Sequence, residues 1–424
     1  MTIFTYAVKY WITGRCISPL RTSNADGEPE TVLRTADGQA FIQATSIAGA
    51  MKSWLKKQVE ITKIDALFGR QEEEGHLIFS DAMFEKEAEI QFRPRLRING
   101  KSGTAADGGK FDVAQICTDA KFDFCITWMA EKENSDEIGM VENMLAALHQ
   151  GQIQLGGQKT NGFGRVTLSV KKQCFDMKKE TDRERWLENK RSGTELKLPK
   201  ISARKEVHFI VYGQADSILV KAAAVQNENG KSWTGNITEK GKPVLPASSV
   251  KGAVRSRVET IAKYLQLEGL DEAIFGRKAD CGNDGLPGKV MFQDVILQKK
   301  TQKITRIRID KFTGGVIRQG LFTEEPLCTP VQFGIVMQEE LGDRMDTACG
   351  LLLFALKDLG QGLYHLGSGW AIGRGDVRIE KIEIQTQNAK AVLSIEEDGS
   401  CTLRDETKLM HGWLKSLEVM QHEN

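Results

Sequence analysis

The chain carries an internal duplication, and this feature constrains its fold more than any other. Residues 44–55 (ATSIAGAMKSWL) resemble residues 247–258 (ASSVKGAVRSRV). Four further matches follow in the same order along both halves: 67–70 with 274–277, 75–81 with 288–294, 95–103 with 306–314, and 155–166 with 366–377. The offset stays between 203 and 213 residues. Five landmarks in one order indicate two copies of one domain, each of about 180–200 residues.

These landmarks divide the chain into four segments. We predict a first domain over residues 1–170, a second domain over 206–385 and a C-terminal extension over 386–424. The intervening residues 171–205 contain twelve Lys or Arg and six Asp or Glu, a local net charge of 12 − 6 = +6. This composition predicts a charged linker with a basic face.

Composition and charge exclude several classes of protein. With 424 residues, of which 40% are hydrophobic, the chain can bury substantial cores, and its net charge of +1 gives no long-range field for polyanions. It contains no run of eighteen apolar residues and does not begin like an export signal, so we expect a soluble, cytoplasmic protein without membrane contact. Eight cysteines without a CxxC pair argue against disulfides and structural metal.

The order of predicted elements suggests the fold of each copy. In the first copy, residues 3–12 have the composition of a strand, and Ser46 is a plausible N-cap for a helix over 46–58. An alternating strand over 122–128, a helix over 135–148 and a closing strand over 165–170 follow. This α+β order predicts two ferredoxin-like (RRM-like) βαββαβ domains in tandem, each with a hairpin insertion and a late glycine-rich loop.

Two glycine-rich loops carry the strongest chemical signal. Glycines let backbone amides approach a phosphate, and Lys159, Arg165 and Arg374 add positive charge at the same places. The alternative, that the glycines only shape a tight turn between a helix and a strand, stays open. The residues concerned are Gly156, Gly157, Gly162 and Gly164 in the first copy and Gly367, Gly369, Gly373 and Gly375 in the second.

The first helix of each copy could also bind phosphate at its N-terminus, where amides are free and the helix dipole is positive. Ser46 and Lys52 lie there in the first copy, and Ser249, Lys251 and Arg255 lie there in the second. Ordinary N-capping with a solvated basic face is the competing interpretation.

Two pairs of arginines alternate along predicted strands. Arg95 and Arg97 match Arg306 and Arg308, and each pair projects from one face of its strand. Two arginines on one face repel each other unless an anion lies across them. These residues are therefore candidate contacts for an anionic ligand, although a charged edge hairpin would show the same pattern.

Acid and base groups are less informative. The long loop after the first strand holds Asp26, Glu28 and Glu30 near Arg21, a set that could bind a divalent ion beside a phosphate. The equivalent loop of the second copy, residues 226–235, has no aspartate. A solvated acidic loop is the alternative. We expect Asp81 and Asp294, each of which closes a strand, to be turn or cap residues.

Several of these short sequence motifs together resemble those of a known family. PASSVKGAVRSRVE at 246–259 followed by IFGR, with LGGxxxxGFGRV late in the first copy, is similar to the RAMP superfamily of CRISPR-associated proteins. The pattern R[LI]RI[ND]xxxG at 95–103 and 306–314 resembles the start of the thumb hairpin in backbone subunits of type III effector complexes. The resemblance covers both halves of the chain.

This resemblance implies a tandem backbone subunit that binds a CRISPR RNA guide, a target RNA and other subunits of an effector complex. In such proteins the serine-lysine-glycine helix start and the glycine loop hold the guide. Ser249, Lys251 and Gly252 fit this pattern, whereas the first copy has Ala48 in place of the lysine. The resemblance to backbone subunits of type III complexes also implies cleavage of target RNA by an aspartate in the loop after the first strand with a divalent metal, Mg²⁺ or Mn²⁺. Asp26 is the candidate, and the second copy is expected not to cleave.

Two other interpretations remain open. A CRISPR RNA processing endoribonuclease of the related ferredoxin-like type would need a catalytic histidine, and only His365, beside the second glycine loop, is placed for this role. A non-catalytic capping subunit would bind RNA and protein partners without cleavage.

Overall fold

The computed structural model of the protein describes residues 4–22, 31–98, 104–221, 226–228, 231–279, 284–298 and 303–422. The chain divides into two compact units. The first unit consists of Met1–Arg95, Gly108–Lys159 and Phe163–Ala203, and the second of Leu96–Asp107, Thr160–Gly162 and Arg204–Asn424.

The first repeat alternates strands and helices. Its strands are β1 (Tyr6–Cys16), β2 (Phe41–Ile42), β3 (Leu77–Phe79), β4 (Ala82–Phe84), β5 (Ile90–Ile98), β6 (Ala105–Ile116), β7 (Lys121–Ala130), β8 (Val166–Asp176) and β9 (Thr194–Glu195). Its helices are α1 (Ala44–Leu55), α2 (Ile61–Phe68), α3 (Ser135–His149) and α4 (Glu180–Glu188). A 3₁₀ turn over Lys159–Asn161 lies in the glycine loop.

The second repeat follows the same plan. Its strands are β10 (Glu206–Ile218), β11 (Gln226–Glu228), β12 (Lys231–Trp233), β13 (Thr238–Glu239), β14 (Lys242–Leu245), β15 (Gly276–Arg277), β16 (Leu286–Pro287), β17 (Val290–Phe292), β18 (Val295–Ile296), β19 (Ile304–Ile309), β20 (Val316–Glu324), β21 (Leu327–Gln338), β22 (Val377–Gln385), β23 (Lys390–Ile395) and β24 (Cys401–Arg404). Its helices are α5 (Ala247–Tyr264), α6 (Leu270–Phe275), α7 (Met345–Gly360) and α8 (Leu409–His422), with 3₁₀ turns over Gly342–Arg344 and Trp370–Ile372.

Each repeat builds one large antiparallel sheet, and four core strands have the same order in both, β3-β7-β1-β8 in the first and β17-β21-β10-β22 in the second. The first sheet runs β2-β4-β7-β1-β8-β9 and the second runs β17-β21-β10-β22-β23-β24. In each, the first strand lies in the middle, between the strand that follows the hairpin and the closing strand. The predicted hairpin insertions form separate two-stranded sheets, β5-β6 and β19-β20. The chain is therefore a mixed α+β protein with a duplicated sheet.

Alternation along the central strands creates the two cores. Val8, Tyr10 and Ile12 of β1 are buried in the first core together with residues of α1 and α3. Phe209 and Val211 of β10 take the same place in the second core. Because side chains alternate across a strand, the residues between them point to the other face of each sheet.

The first helix of each repeat begins two residues earlier than we predicted. Gln43, and not Ser46, is the N-cap of α1, and Asp81, which lies between β3 and β4 later in the chain, accepts a hydrogen bond from Ala44 N at 2.7 Å. Asp294 accepts from Ala247 N at 2.8 Å at the start of α5. The cap role that we expected for Asp81 and Asp294 is thus confirmed, and the cap comes from a distant strand.

The segment 171–205, which we predicted to be a charged linker, contains regular secondary structure. Residues 171–176 complete β8, and α4 and β9 follow, with β9 paired to the edge of β8. The C-terminal extension likewise adds β23 and β24 to the second sheet, and Trp413 of α8 packs against Phe209 at a ring distance of 5.8 Å.

The cap at α5 yields a stability test. Asp294→Ala should lower the free energy of unfolding by about 1 kcal/mol, because it removes an acceptor and a negative charge from a helix N-terminus. Asp294→Asn should retain most of the stability, since an amide oxygen can still accept the hydrogen bond. Urea denaturation measures both, with Asp216→Ala, at an exposed position of β10, as the control. Equal effects of Asp294→Ala and Asp216→Ala would contradict the capping role.

Candidate nucleic-acid interface

In the first repeat, the glycine loop is bonded to the chain just beyond β1. Gly164 N donates to Pro19 O at 2.9 Å, and Gly157 N donates to Arg21 O at 3.0 Å. Within the loop, Leu155 N donates to Gly164 O at 2.9 Å. These three bonds fix the exit of β1, from which the acidic loop starts.

The second repeat reproduces this arrangement. Gly375 N donates to Ser217 O at 2.9 Å, Ser368 N donates to Leu219 O at 2.8 Å, and Leu366 N donates to Gly375 O at 2.8 Å. The duplication thus preserves a set of backbone hydrogen bonds as well as a sequence pattern.

Packing explains several of the glycines. A Cβ at Gly164 would collide with Leu155 O, a Cβ at Gly375 would collide with Leu366 O, and the φ angles at these glycines are +81° and +77°. Gly156 likewise has no room for a Cβ beside Arg21. At these positions the tight-turn interpretation is sufficient. Gly157 differs, because its Cβ would meet nothing within 4 Å.

A side-chain hydrogen bond closes the neck of the loop after the first strand in each repeat. Thr22 Oγ1 accepts from Leu33 N at 3.1 Å, whereas in the second repeat Asn236 Oδ1 accepts from Val220 N at 2.7 Å. Asp26, the predicted catalytic residue, lies outside the described residues, as do Glu28 and Glu30.

The corresponding loop of the second repeat is attached to the base of the β19-β20 hairpin. Thr234 N donates to Thr323 O at 2.9 Å, and Trp233 Nε1 donates to a carboxylate oxygen of Glu325 at 2.8 Å. Lys303 Nζ lies 3.3 Å from the centre of the Trp233 ring, in cation–π contact. Trp233 and Thr234 are therefore packed against the base of the hairpin.

The arginines of the first hairpin occupy different environments. The Arg95 guanidinium lies 6.0 Å from the ring centre of Phe163 in the glycine loop, and Arg97 is exposed. Arg93, two residues earlier, is 2% exposed and lies 5.9 Å from the same ring. Our sequence analysis missed Arg93, although the alternation that selected Arg95 and Arg97 includes it.

The second hairpin combines charge with exposed apolar side chains. Arg306 is half-buried, and Arg308 is exposed with its guanidinium 5.6 Å from the ring centre of Phe322. The exposed apolar residues are Ile307, Ile309, Phe312, Val316, Ile317 and Leu321. An exposed strand with arginines and apolar side chains suits a nucleic acid, which offers both phosphates and base faces.

The helix starts are less favourable for phosphate than the sequence suggested. Asp81 and Asp294 place a carboxylate at the first amide of α1 and α5, where a phosphate would compete with it. Ser46 is exposed, and Lys52 is half-buried with its Nζ 5.6 Å from the ring centre of Phe68. Ser249 and Lys251 are half-buried within the first turns of α5. Further along this helix, Arg255 forms an ion pair with Glu259 at 2.6 Å.

Arg374 does not lie on the surface. It is 2% exposed, and its Nη1 is 2.7 Å from a Glu324 carboxylate oxygen, while Lys221 Nζ is 3.3 Å from the other oxygen. Burial tends to raise the pKa of Glu324, but the charges of Arg374 and Lys221 outweigh burial and lower it. Arg374 is therefore withdrawn as an RNA contact, because its charge is already compensated inside the protein.

The remaining candidates are located as follows. Lys159 is exposed on the 3₁₀ turn of the first glycine loop, and Arg165, half-buried, follows the loop. His365, the candidate base of a processing enzyme, is half-buried after α7.

Comparison with protein-family models now identifies the family. The model of the RAMP superfamily matches residues 13–167 and 232–378, well over half of the chain. The chain belongs to the RAMP superfamily. Its two matched regions coincide with the two repeats, which confirms the tandem organisation, and membership indicates a CRISPR-associated, RNA-binding role. A search of curated proteins found no match.

Two further observations concern the described residues of this RAMP protein. None of their His, Cys, Asp and Glu side chains form a group of three or more that could hold a metal ion. No helix within the described ranges has the length and apolar character to cross a membrane.

The buried ion pair of the second RAMP repeat can be tested against the first. The residues that correspond to Glu324 and Arg374 in the first repeat are Val113 and Phe163, both buried. Glu324→Val should lower the free energy of unfolding by about 3 kcal/mol, because it leaves a buried guanidinium uncompensated. The double variant with Arg374→Phe should recover most of this loss in chemical denaturation.

The effect of Glu324→Val should also depend on pH. A carboxylate with a lowered pKa stabilises the fold above its ordinary pKa of about 4.3, and this stabilisation is lost as the pH falls through the lowered value. The difference between wild type and Glu324→Val should therefore shrink in acid. A double variant no more stable than Glu324→Val would contradict the pairing.

Proposed function

We propose that the chain is a guide-RNA-binding backbone subunit of a type III antiviral CRISPR effector complex. In this proposal the two RAMP repeats are ferredoxin-like domains over residues 1–170 and 206–385, and the first repeat cleaves target RNA. The partners would be the CRISPR RNA, the target RNA and neighbouring subunits. The shared order of the four core strands in both sheets supports the ferredoxin-like assignment.

One observation carries the proposal: an arginine-bearing hairpin touches a glycine loop in both repeats. Arg95 contacts Phe163 in the first repeat, and Glu324 at the base of the second hairpin pairs with Arg374. The hairpin is thus fixed beside the loop that holds the exit of the first strand. Such a fixed, charged edge can follow the backbone of an extended RNA, and a duplicated one can follow it twice.

Direct contacts with RNA are assigned to side chains that remain accessible. Arg97 and Lys159 in the first repeat and Arg308 in the second are exposed, so they can reach phosphates. Arg95, Arg165, Arg306, Lys52 and Lys251 are half-buried and would present only part of their charge. Ser46 and Ser249 would add hydroxyl contacts near the helix starts.

Cleavage is assigned to the loop that follows β1. A carboxylate with a pKa of about 4 is a weak base at neutral pH, so Asp26 would act by holding a hydrated divalent ion or by aligning the target 2′-hydroxyl. A bound Mg²⁺ or Mn²⁺ would supply charge stabilisation at the reacting phosphate. The hydrogen bond between Leu33 and Thr22 supports this role, because it joins the two described ends of this loop beside Arg21, which is bonded to the glycine loop.

RNA binding should depend on the second hairpin. The double variant Arg306→Ala/Arg308→Ala should weaken guide RNA binding about tenfold or more, because each substitution removes a phosphate contact. It should also reduce the slope of log K against log salt concentration by about 1.4, because about 0.7 of the slope arises from each phosphate contact with a single strand. Fluorescence anisotropy at several salt concentrations measures both.

The matched control removes the same charge elsewhere. Arg404→Ala with Lys415→Ala changes two exposed residues of the C-terminal extension and should leave affinity and slope unchanged. An unchanged slope in the Arg306→Ala/Arg308→Ala variant would show that this hairpin does not face RNA.

Cleavage should depend on Asp26. In the assembled complex, Asp26→Ala should reduce one metal-dependent cut of the target RNA about 100-fold or more and leave guide and target affinity nearly unchanged. Glu228→Ala, in the equivalent loop of the second repeat, should retain every cut. Retained cleavage at all positions in Asp26→Ala would remove this assignment and direct attention to Glu28, Glu30 or another subunit.

A further inference from the structure

The sheet of the first unit has its second face covered by the chain itself. Residues 186–192 lie across the face of the sheet that points away from α1 and α3, whereas the chain after them returns to the end of α3, where Gln150 and Gln152 donate hydrogen bonds to Pro199 O and Ser202 O. Lys9 Nζ lies 4.0 Å from the centre of a Trp186 ring and donates to Asn189 Oδ1 at 2.7 Å. Further along β1, Arg191 donates to Thr13 Oγ1 at 2.7 Å. The central strand therefore meets this segment along most of its length.

Charge and aromatic contacts hold the segment in place. Arg191 also forms an ion pair with Asp123 of the neighbouring strand β7 at 2.6 Å. Trp186 packs edge-on against Phe175 at a ring distance of 5.2 Å. The covering segment is thus basic and bears an aromatic side chain, and it meets a carboxylate on the sheet.

The same face of the second sheet is open. Burial along β10 matches that along β1, so that His208, Ile210 and Tyr212 occupy the positions of Lys9, Trp11 and Thr13. His208 is exposed, and Ile210 and Tyr212 are half-buried. A hollow of about 690 Å³ lies on this face, lined by β10, β21 and the segment 293–298.

The C-terminal extension takes a different course from residues 177–203. Like β9 in the first unit, β23 adds a strand to the edge of the closing strand. The chain then forms β24 and α8, and α8 packs against α7 and Phe209, on the helical side of the sheet. The extension therefore continues the sheet at its edge and does not repeat the covering path of the first unit.

The lining of the hollow indicates what kind of partner it fits. Its apolar residues include Ile210, Pro330 and Ile296, of which Ile296 is 55% exposed. Its charged residues are Asp294 and Glu380, and the described lining residues include no Lys or Arg.

Asp294 is bonded to the start of α5, and Lys381, whose Nζ lies 4.3 Å from the Tyr212 ring centre, forms an ion pair with Glu383. Glu380 therefore sets the charge of the hollow, which favours a basic polypeptide over phosphates.

We propose that this open face of the second sheet docks a basic, aromatic-bearing polypeptide segment of a neighbouring subunit, as residues 186–192 cover the first sheet. The precedent within the same chain and the charge of the lining both favour a protein partner over RNA. The proposal concerns a face that the guide-binding proposal does not use.

Site-specific photocrosslinking in the assembled complex tests the proposal. A benzoylphenylalanine that replaces His208 should crosslink to another subunit, and the crosslinked peptide should carry net positive charge. Glu380→Lys should reduce the yield of this crosslink about fivefold or more, because it reverses a charge of the hollow. Glu397→Lys, at a residue whose side chain is 92% exposed and which does not line the hollow, should leave the yield unchanged.

The equivalent position in the first unit provides the positive control. Benzoylphenylalanine in place of Lys9 should crosslink within the chain to residues 186–191. With this control working, a crosslink from position 208 to RNA, to this chain alone or to an acidic peptide would overturn the proposal, and so would the absence of a crosslink. None of these readouts requires guide binding by the second hairpin, so the two proposals can fail separately.

Discussion

The hydrogen bonds between each glycine loop and the exit of the first strand determine the geometry of the candidate interface. Gly164 and Gly375 donate to Pro19 and Ser217, and a side chain at either glycine would collide with the loop's own carbonyl groups. These bonds hold the start of the closing strand next to the end of the first strand at one end of the sheet. The neck of the acidic loop and the base of the hairpin both lie beside this end of the sheet.

The backbone arrangement is shared by the repeats, but the side chains placed on it differ. Below the hairpin, the first repeat buries Val113 and Phe163, whereas the second buries Glu324 and Arg374. Exchange of a buried ion pair for an apolar pair changes stability little, although either half of the exchange alone is costly. The repeats could therefore diverge here only by paired substitution, and a charge in one glycine loop need not have the role of a charge in the other.

This divergence shows which features of the fold and the candidate site could be predicted from the sequence. The duplication, the paired helices and the arginine-bearing hairpins followed from sequence alone, because they depend on local periodicity and on repeated words. Arg374 looked like a phosphate ligand because its partner Glu324 lies fifty residues earlier, on another element. Asp81 and Asp294 were expected to be turn or cap residues, but the sequence near each helix start did not show which helix they cap. Each carboxylate lies between two strands later in the chain. Long-range pairing of charges is what local pattern cannot supply.

The loops after the first strands show what divergence implies for function. In the second repeat, Trp233 and Thr234 attach the loop to Glu325 and Thr323 at the base of the hairpin, with Lys303 against the indole. The described end of this loop therefore supports the hairpin. Its lack of an aspartate is consistent with that role. A duplicated protein can in this way place different side chains, and different contacts, on the same backbone arrangement in its two repeats.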